Sequence, residues 1–188
     1  MKKYGAILID PPWPQDNYTQ KGVVPARGRQ PYRTIPLYEI AGLPVPKLMA
    51  DHCAIFLWVL DNLPDAAQHL AWAWGRPNKS LRVVRTNQFV WLKTCTSDPL
   101  RPRKGMGRWA RGNAESVTVL AKGRPPLGLV SDQVVIDGAR REHSRKPDEI
   151  YSRIEALVDG PYLEMFARQK WPGWDSWGNE VDKFEVTA

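Results

Sequence analysis

Tyr4-Gly-Ala-Ile-Leu-Ile-Asp10-Pro11-Pro12-Trp13 is the stretch whose reading decides the fold. Tyr4–Asp10 is a continuous apolar run closed by an acid, which reads as a strand buried on both faces, the kind that parallel sheets contain. Pro11 and Pro12 stop it, because proline has no N–H with which to extend a ladder. A parallel strand that stops abruptly delivers the residues after it to the carboxyl edge of the sheet, where α/β proteins bind ligands. Working outward, Ala54–Val59 (AIFLWV) is a second buried strand; Asp61, Asn62 and Pro64 then signal a helix start and Gly75 its stop. Gln88–Lys93 (QFVWLK) and Glu115–Ala121 (ESVTVLA) read as strands separated by the basic Gly/Pro-rich loop Thr94–Arg111. Lys146–Val158 has proline at a first helical position, acids in its first turn and Ile150, Ile154, Leu157 and Val158 on one face. Gly160 ends that helix, and Tyr162–Ala167 is a further buried strand. Strands alternating with helices predict one α/β domain over residues 1–188, with a mostly parallel sheet covered by helices on both faces.

Composition narrows the function. At 188 residues the chain is long enough to bury a core without metal or disulfide staples. The longest apolar runs, such as Ala54–Leu60, have seven residues against the roughly 20 that span a bilayer, and Met-Lys-Lys leads into no signal-like stretch. Membrane insertion and secretion are therefore not expected. Cys53 and Cys95 have no CxxC spacing and no histidine at zinc-ligand distance, so neither a disulfide framework nor a metal site is expected, and a reducing, cytoplasmic setting fits. Lys and Arg exceed Asp and Glu by 27 to 20, a net charge of +7. The excess is concentrated in three loops: Arg27, Arg29 and Arg33; Arg101, Arg103, Lys104, Arg108 and Arg111; and Arg140, Arg141, Arg145 and Lys146. Basic loops with aromatics nearby are the footprint of a polyanion partner.

Asp10-Pro11-Pro12-Trp13 carries the chemistry. Pro12 biases Pro11 to an extended backbone, which leaves the Pro11 carbonyl to face the crevice beside the Asp10 carboxylate, with the flat face of Trp13 close by. Two acceptors next to an aromatic plate suit the exocyclic NH₂ of adenine or cytosine. The lone pair of such an amine is delocalised into its ring, and hydrogen bonds from both N–H groups draw the nitrogen towards the tetrahedral geometry of a nucleophile. The carboxylate also stabilises the positive charge that develops as the amine attacks an electrophilic methyl group. Other candidates carry less. Gly105–Ala110 imitates a GxGxxA dinucleotide pattern but follows a polar loop instead of a strand. His52, His69 and His143 lack ligand spacing, and Cys95 has no His–acid partner arrangement. Trp58, Trp72, Trp74 and Trp91 fall in helix or strand patterns and are expected in the core, whereas Trp13, Trp109, Trp171, Trp174 and Trp177 fall in loops.

The chain resembles the DPPW-type N6-adenine methyltransferases related to the seventy-kilodalton subunit of the mRNA adenosine methyltransferase, in their bacterial and phage branch. The resemblance runs from about Gly5 to Asp182. It rests on ILIDPPW (Ile7–Trp13), QPYRT (Gln30–Thr34), FLWV (Phe56–Val59), FVWLKT (Phe89–Thr94), GRW (Gly107–Trp109), VLAKG (Val119–Gly123), RKPDEIYSRIE (Arg145–Glu155), LEMFAR (Leu163–Arg168) and WGNE (Trp177–Glu180). It implies a Rossmann-like methyltransferase domain in the permuted β-type motif order, with S-adenosyl-L-methionine as cofactor. Asp10, Pro11, Pro12 and Trp13 would form the catalytic loop. Tyr32 would wall the transfer pocket, and Lys146 would lie near both substrate and cofactor. Glu164, Phe166 and Arg168 would hold the cofactor's adenosine portion, with Asn179 and Glu180 completing the ribose and adenine contacts. Arg103, Lys104 and Arg108 are the loop cations expected to grip phosphates. An upstream acid found in some relatives has no counterpart in the nine residues before Asp10. The segment between Arg168 and Asn179 is two residues shorter than in the eukaryotic branch.

The expected reaction is methyl transfer to adenine N6 in DNA. RNA adenosine is the nearest alternative substrate, and cytosine N4 is a third. A catalytically silent nucleic-acid-binding subunit is the alternative of a different class, against which the intact Asp10–Trp13, Lys146 and Arg168 count. The small size and the lack of a visible recognition domain are compatible with a homodimer.

Overall fold

A computed structural model describes residues 1–14, 16–19, 22–25, 33–76, 80–84, 89–103, 112–126, 128, 134–139, 141–142 and 144–185. In chain order the elements are β1 (Tyr4–Ile9), the antiparallel pair β2 (Asp16–Thr19) and β3 (Gly22–Pro25), α1 (Leu37–Ala41), α2 (Val45–Leu48), β4 (Met49–Val59), α3 (Ala66–Trp74), β5 (Leu81–Val83), β6 (Phe89–Cys95), β7 (Asp98–Pro102), β8 (Ala114–Lys122), β9 (Val135–Ala139), α4 (Glu149–Leu157), β10 (Tyr162–Met165) and β11 (Trp174–Trp177). The main sheet runs β11-β10-β1-β4-β8-β6-β7, with β5 paired to β8 and β9 to β6.

β1 sits between β10 and β4, parallel to both, with Ile9 opposite Met165 on one side and Leu57 on the other. Alternation along this doubly buried strand divides the core. Ile7 and Ile9 join Ile40, Leu70, Ala71 and Trp74 of α1 and α3 in one cluster, whereas Ala6 and Leu8 join Ile150, Tyr151 and Ile154 of α4 in the other. Helices therefore cover both faces, as the apolar runs predict. Among the described residues no helix is long and apolar enough to cross a membrane.

The expectation of a mostly parallel sheet holds for β11-β10-β1-β4, but β8 runs antiparallel to β4, β5 and β6, and β7 antiparallel to β6. The sheet is mixed, because an apolar run buried on both faces has the same pattern whichever way it points. Lys146 and Pro147 precede the second long helix, whose N-cap is Asp148, so Pro147 is not its first helical residue. Trp174, expected in a loop, is 7 % exposed in β11, its ring stacked on Tyr162 at 4.9 Å. Trp72, expected in the core, is 54 % exposed on α3, where the Arg76 guanidinium covers its ring at 4.1 Å.

Candidate active site at the carboxyl ends of β1 and β10

Chain connections diverge on the two sides of β1: the chain leaves it towards β4 on one side and returns on the other as β10. Such a switch point opens a crevice at the carboxyl ends of the strands. Asp10 follows β1 and Phe166–Arg168 follow β10, and the Asp10 N–H donates to the Met165 carbonyl at 3.4 Å across the gap. The crevice has a volume of about 510 Å³ and is walled by Asp10, Pro12, Ile35, Phe166, Arg168 and Trp177, with Asn179 and Glu180 at the turn after β11. That volume lies within the roughly 300–1,000 Å³ range of small-molecule sites. Phe166 adopts φ 63°, a left-handed backbone that non-glycine residues hold only where the surroundings enforce it. Its ring meets Trp177 edge-on at 5.2 Å. Gly178 lets the following turn close over this strained segment, because a Cβ there would lie 2.6 Å from the Ala167 carbonyl oxygen.

The charged centre lies beside the crevice. Lys146 Nζ donates to Asp10 Oδ2 at 2.8 Å and sits 3.2 Å from Glu115 Oε2, while Glu115 is also paired with Lys93. The Lys146 ammonium lies over the Trp58 ring at 5.3 Å. Burial opposes charge on Lys146, yet Asp10 and Glu115 overcome it and raise the pKa above the usual ammonium value. Asp10 carries the cost of burial, which lifts its carboxyl above the usual range despite Lys146. At Glu115 burial pushes up, but Lys146 and Lys93 outweigh it and the carboxyl stays low. Glu115 was not singled out in the sequence, although an acid opening a strand buried on both faces signals a paired group.

A smaller cavity shares Asp10, Phe166 and Arg168 with the crevice and is lined in addition by Lys146, Tyr151 and Glu164. Burial pushes Glu164 up to about 8, against the Tyr151 hydroxyl that donates to Glu164 Oε2 at 2.8 Å. Arg168 Nε lies 3.3 Å from Glu180 Oε2. Asp10, Lys146, Glu164, Phe166, Arg168, Asn179 and Glu180 thus gather around two adjoining cavities, although they come from opposite ends of the chain.

Three expectations change. Trp13 is 4 % exposed within the α1/α3 cluster, and its indole N–H donates to the Trp58 carbonyl at 2.9 Å. It anchors the Asp-Pro-Pro turn and offers no face to the crevice, because the turn carries its ring inward. Trp13→Leu is accordingly expected to cost about 2–5 kcal/mol of stability through lost packing and an unsatisfied carbonyl. Its nucleic-acid affinity, measured well below the melting point, should match the wild type; lost affinity with an unchanged melting temperature would restore a stacking role. The Pro11 carbonyl is not wholly free, since it accepts the Trp13 N–H at 2.8 Å and keeps one lone pair for a second donor. Of the third basic loop, whose Arg140 lies outside the described residues, the described cations are all paired: Arg141 with Asp148 at 2.5 Å, Arg145 buried against Glu142, and Lys146 with Asp10 and Glu115. Arg103 follows β7, its backbone N–H donating to the Lys93 carbonyl, and does not line the crevice. Tyr32, Lys104 and Arg108 lie outside the described residues.

Comparison with known proteins identifies the family. The MT-A70 family profile matches residues 4–180. An N(6)-adenosine-methyltransferase MT-A70-like protein of Arabidopsis thaliana is 31% identical over 182 residues, which are 95% of this chain and 24% of that protein. The type II methyltransferase M.MunI of Mycoplasma sp is 28% identical over 204 residues, covering 98% of this chain and 82% of that protein. The human N(6)-adenine-specific methyltransferase METTL4 is 30% identical over 197 residues, 98% of this chain and 39% of that protein. The chain therefore spans about a quarter of the plant relatives and most of M.MunI. With Asp10-Pro11-Pro12-Trp13 at the switch point of an α/β sheet and a match over nearly its whole length, this chain belongs to the MT-A70 family of N6-adenine and N6-adenosine methyltransferases.

Proposed function

We propose that this protein transfers a methyl group from S-adenosyl-L-methionine to the exocyclic N6 of adenine in DNA. The observation that carries the reading is the Asp10 carboxylate beside Pro11, held by Lys146 at the mouth of the switch-point crevice. The crevice suits a nucleoside joined to an amino acid. It combines aromatic and aliphatic walls at Phe166, Trp177, Ile35 and Leu43 with polar groups at Asp10, Arg168, Asn179 and Glu180. Phe166, Arg168, Asn179 and Glu180 would hold the cofactor, which when bound would supply an electrophilic methyl group to the amine lone pair, the electrons of its broken carbon–sulfur bond staying on sulfur and the amine proton being lost to solvent. Asp10 accepts one N–H of the target amine, and the remaining lone pair of the Pro11 carbonyl accepts the other. Lys146 keeps Asp10 in place and, with Glu115, sets the charge around it. As positive charge grows on the amine, the Asp10 carboxylate stabilises it within a site where water screens it little.

The DNA reading is supported by similarity to the type II methyltransferase M.MunI, 28% identical over 204 residues, and to the N(6)-adenine-specific methyltransferase METTL4, 30% identical over 197, beside the plant adenosine methyltransferases. Their 31% identity supports RNA adenosine as the second reading. Methyl transfer to matched DNA and RNA oligonucleotides separates the two: faster transfer to DNA is expected, and transfer to RNA alone overturns the preference. Phosphate contacts then fall to the first two basic loops, Arg33 and Arg101 among them, both exposed. Contact with about five phosphates gives a slope of log affinity against log salt of about −4 to −5 on duplex DNA. A slope near zero in a salt titration removes the phosphate-gripping role.

A further inference from the structure

Behind Glu164 lies a chain of donors that the reaction itself does not use. Gln169 Nε2 donates to Asp148 Oδ1 at 2.9 Å and to the Tyr151 hydroxyl oxygen at 3.3 Å. Asp148 is itself paired with Arg141 at 2.5 Å, so it is an ionised acceptor and requires the nitrogen of the Gln169 amide on its side. The Tyr151 oxygen therefore accepts a hydrogen bond from Gln169, and its own O–H donates to Glu164 Oε2 at 2.8 Å. The direction runs from Gln169 through Tyr151 to Glu164.

The ring that carries the hydroxyl is clamped. Trp171 stacks on it at 4.4 Å with planes 5° apart, and Trp174 meets it edge-on at 5.2 Å and 82°. Tyr151 is 4 % exposed and Glu164 8 %. The donor thus reaches Glu164 with its orientation already fixed, and the second carboxylate oxygen of Glu164 is left for another donor. We propose that Tyr151 is a positioning residue for the cofactor: it fixes the carboxylate of Glu164, as a charged acceptor, for the hydroxyls of the cofactor's ribose.

This inference rests on the cofactor reading of the site. The charged neighbourhood gives it a measurable signature. Glu164 faces Asp10 from the end of β1, Lys146 and Asp148 from the segment leading into α4, Tyr151 from α4, and Arg145, Arg168 and Gln169 around the shared cavity. Burial raises its pKa to about 8, the Tyr151 hydroxyl and Lys146 pull it down, and Asp10 and Asp148 push it up. Removing a donor to the ionised form raises the pKa further. Tyr151→Phe keeps the stacked ring and removes only the hydroxyl.

Two measurements test the role. Carboxyl-carbon NMR of Glu164 in the cofactor-free protein should show its titration midpoint displaced upward by about one unit or more in Tyr151→Phe. Calorimetry of S-adenosyl-L-methionine binding should show affinity rising with pH through the wild-type midpoint near 8, and the same rise displaced upward in the variant. At the wild-type midpoint an upward displacement of one unit leaves about one eleventh of Glu164 ionised instead of one half, so the variant should bind roughly fivefold more weakly. Glu164→Gln should flatten the pH profile. An unmoved NMR midpoint overturns the proposal, and so does a displaced midpoint with unchanged cofactor affinity. Wild-type protein that titrates as described but binds no cofactor overturns the cofactor reading, and this proposal with it.

Discussion

Asp10→Ala is expected to lower methyl transfer by at least about 10²–10³-fold, the loss seen when one preorganised group facing developing charge is removed. The fold should survive. Burial already holds the Asp10 carboxyl above its usual pKa, so this group costs stability at neutral pH, and Lys146 keeps Glu115 at 3.2 Å when Asp10 is gone. Initial rates and thermal melts on the same preparation test both halves. A variant that melts like the wild type and turns over at a wild-type rate contradicts the amine-holding role. A variant that does not fold shows that Glu115 cannot hold Lys146 alone.

Lys146→Met should be the more damaging change for stability. It leaves Asp10 and Glu115 facing each other in a buried site without their shared cation, and uncompensated buried charge costs about 3–5 kcal/mol. For a domain of this size that corresponds to a fall in melting temperature of roughly 6–20 °C. The pH dependence gives the sign. In the wild type the low pKa of Glu115 contributes stability that is present above its unfolded pKa and lost as pH falls through the folded one. Without Lys146 the Asp10 carboxyl rises further above its unfolded value, and Glu115, held low only by Lys93, loses part of its depression. The Asp10 contribution is fully present below its unfolded pKa, where the group is neutral, and lost as pH rises through the folded value, while the share of stability that Glu115 gained from Lys146 is gone above its own unfolded pKa. The gap between variant and wild type should accordingly narrow on acidification, as melts across a pH series would show. A constant gap means that the three groups do not share their charge.

The strands that build the crevice were legible because each is a short apolar run closed by a distinctive residue: Ile9 before Asp10, Met165 before Phe166. Of the two long helices, α3 could be read from its start and stop residues and α4 from its apolar face, with starts displaced by a few residues; the short α1 that packs beside α3 was not read. The direction of β8 was not legible, since burial on both faces erases the alternation that distinguishes sheet types. β11 was missed because its four residues gain strand geometry only from pairing with β10. Asp10, identified by its chemistry, and Lys146, placed near it by the family resemblance, fall 2.8 Å apart although 136 positions separate them. What the local sequence could not convey was the partner of each group. Trp13 reads as an exposed loop aromatic until Trp58, 45 positions away, offers its carbonyl. Arg141 and Arg145 read as phosphate contacts until Asp148 and Glu142 neutralise them. Tyr151 carries no signal of its own in the sequence until Gln169 and Glu164 give its hydroxyl a direction.

The central claim is that the Asp10–Lys146 crevice holds the exocyclic amine of adenine for methylation. Its most direct test is the identity of the methylated nucleoside, determined by mass spectrometry after incubating unmethylated DNA with labelled S-adenosyl-L-methionine and either wild-type or Asp10→Ala protein. N6-methyldeoxyadenosine from the wild type and none from the variant is the predicted result. N4-methyldeoxycytidine as the product, or N6-methyldeoxyadenosine formed equally by both proteins, contradicts it.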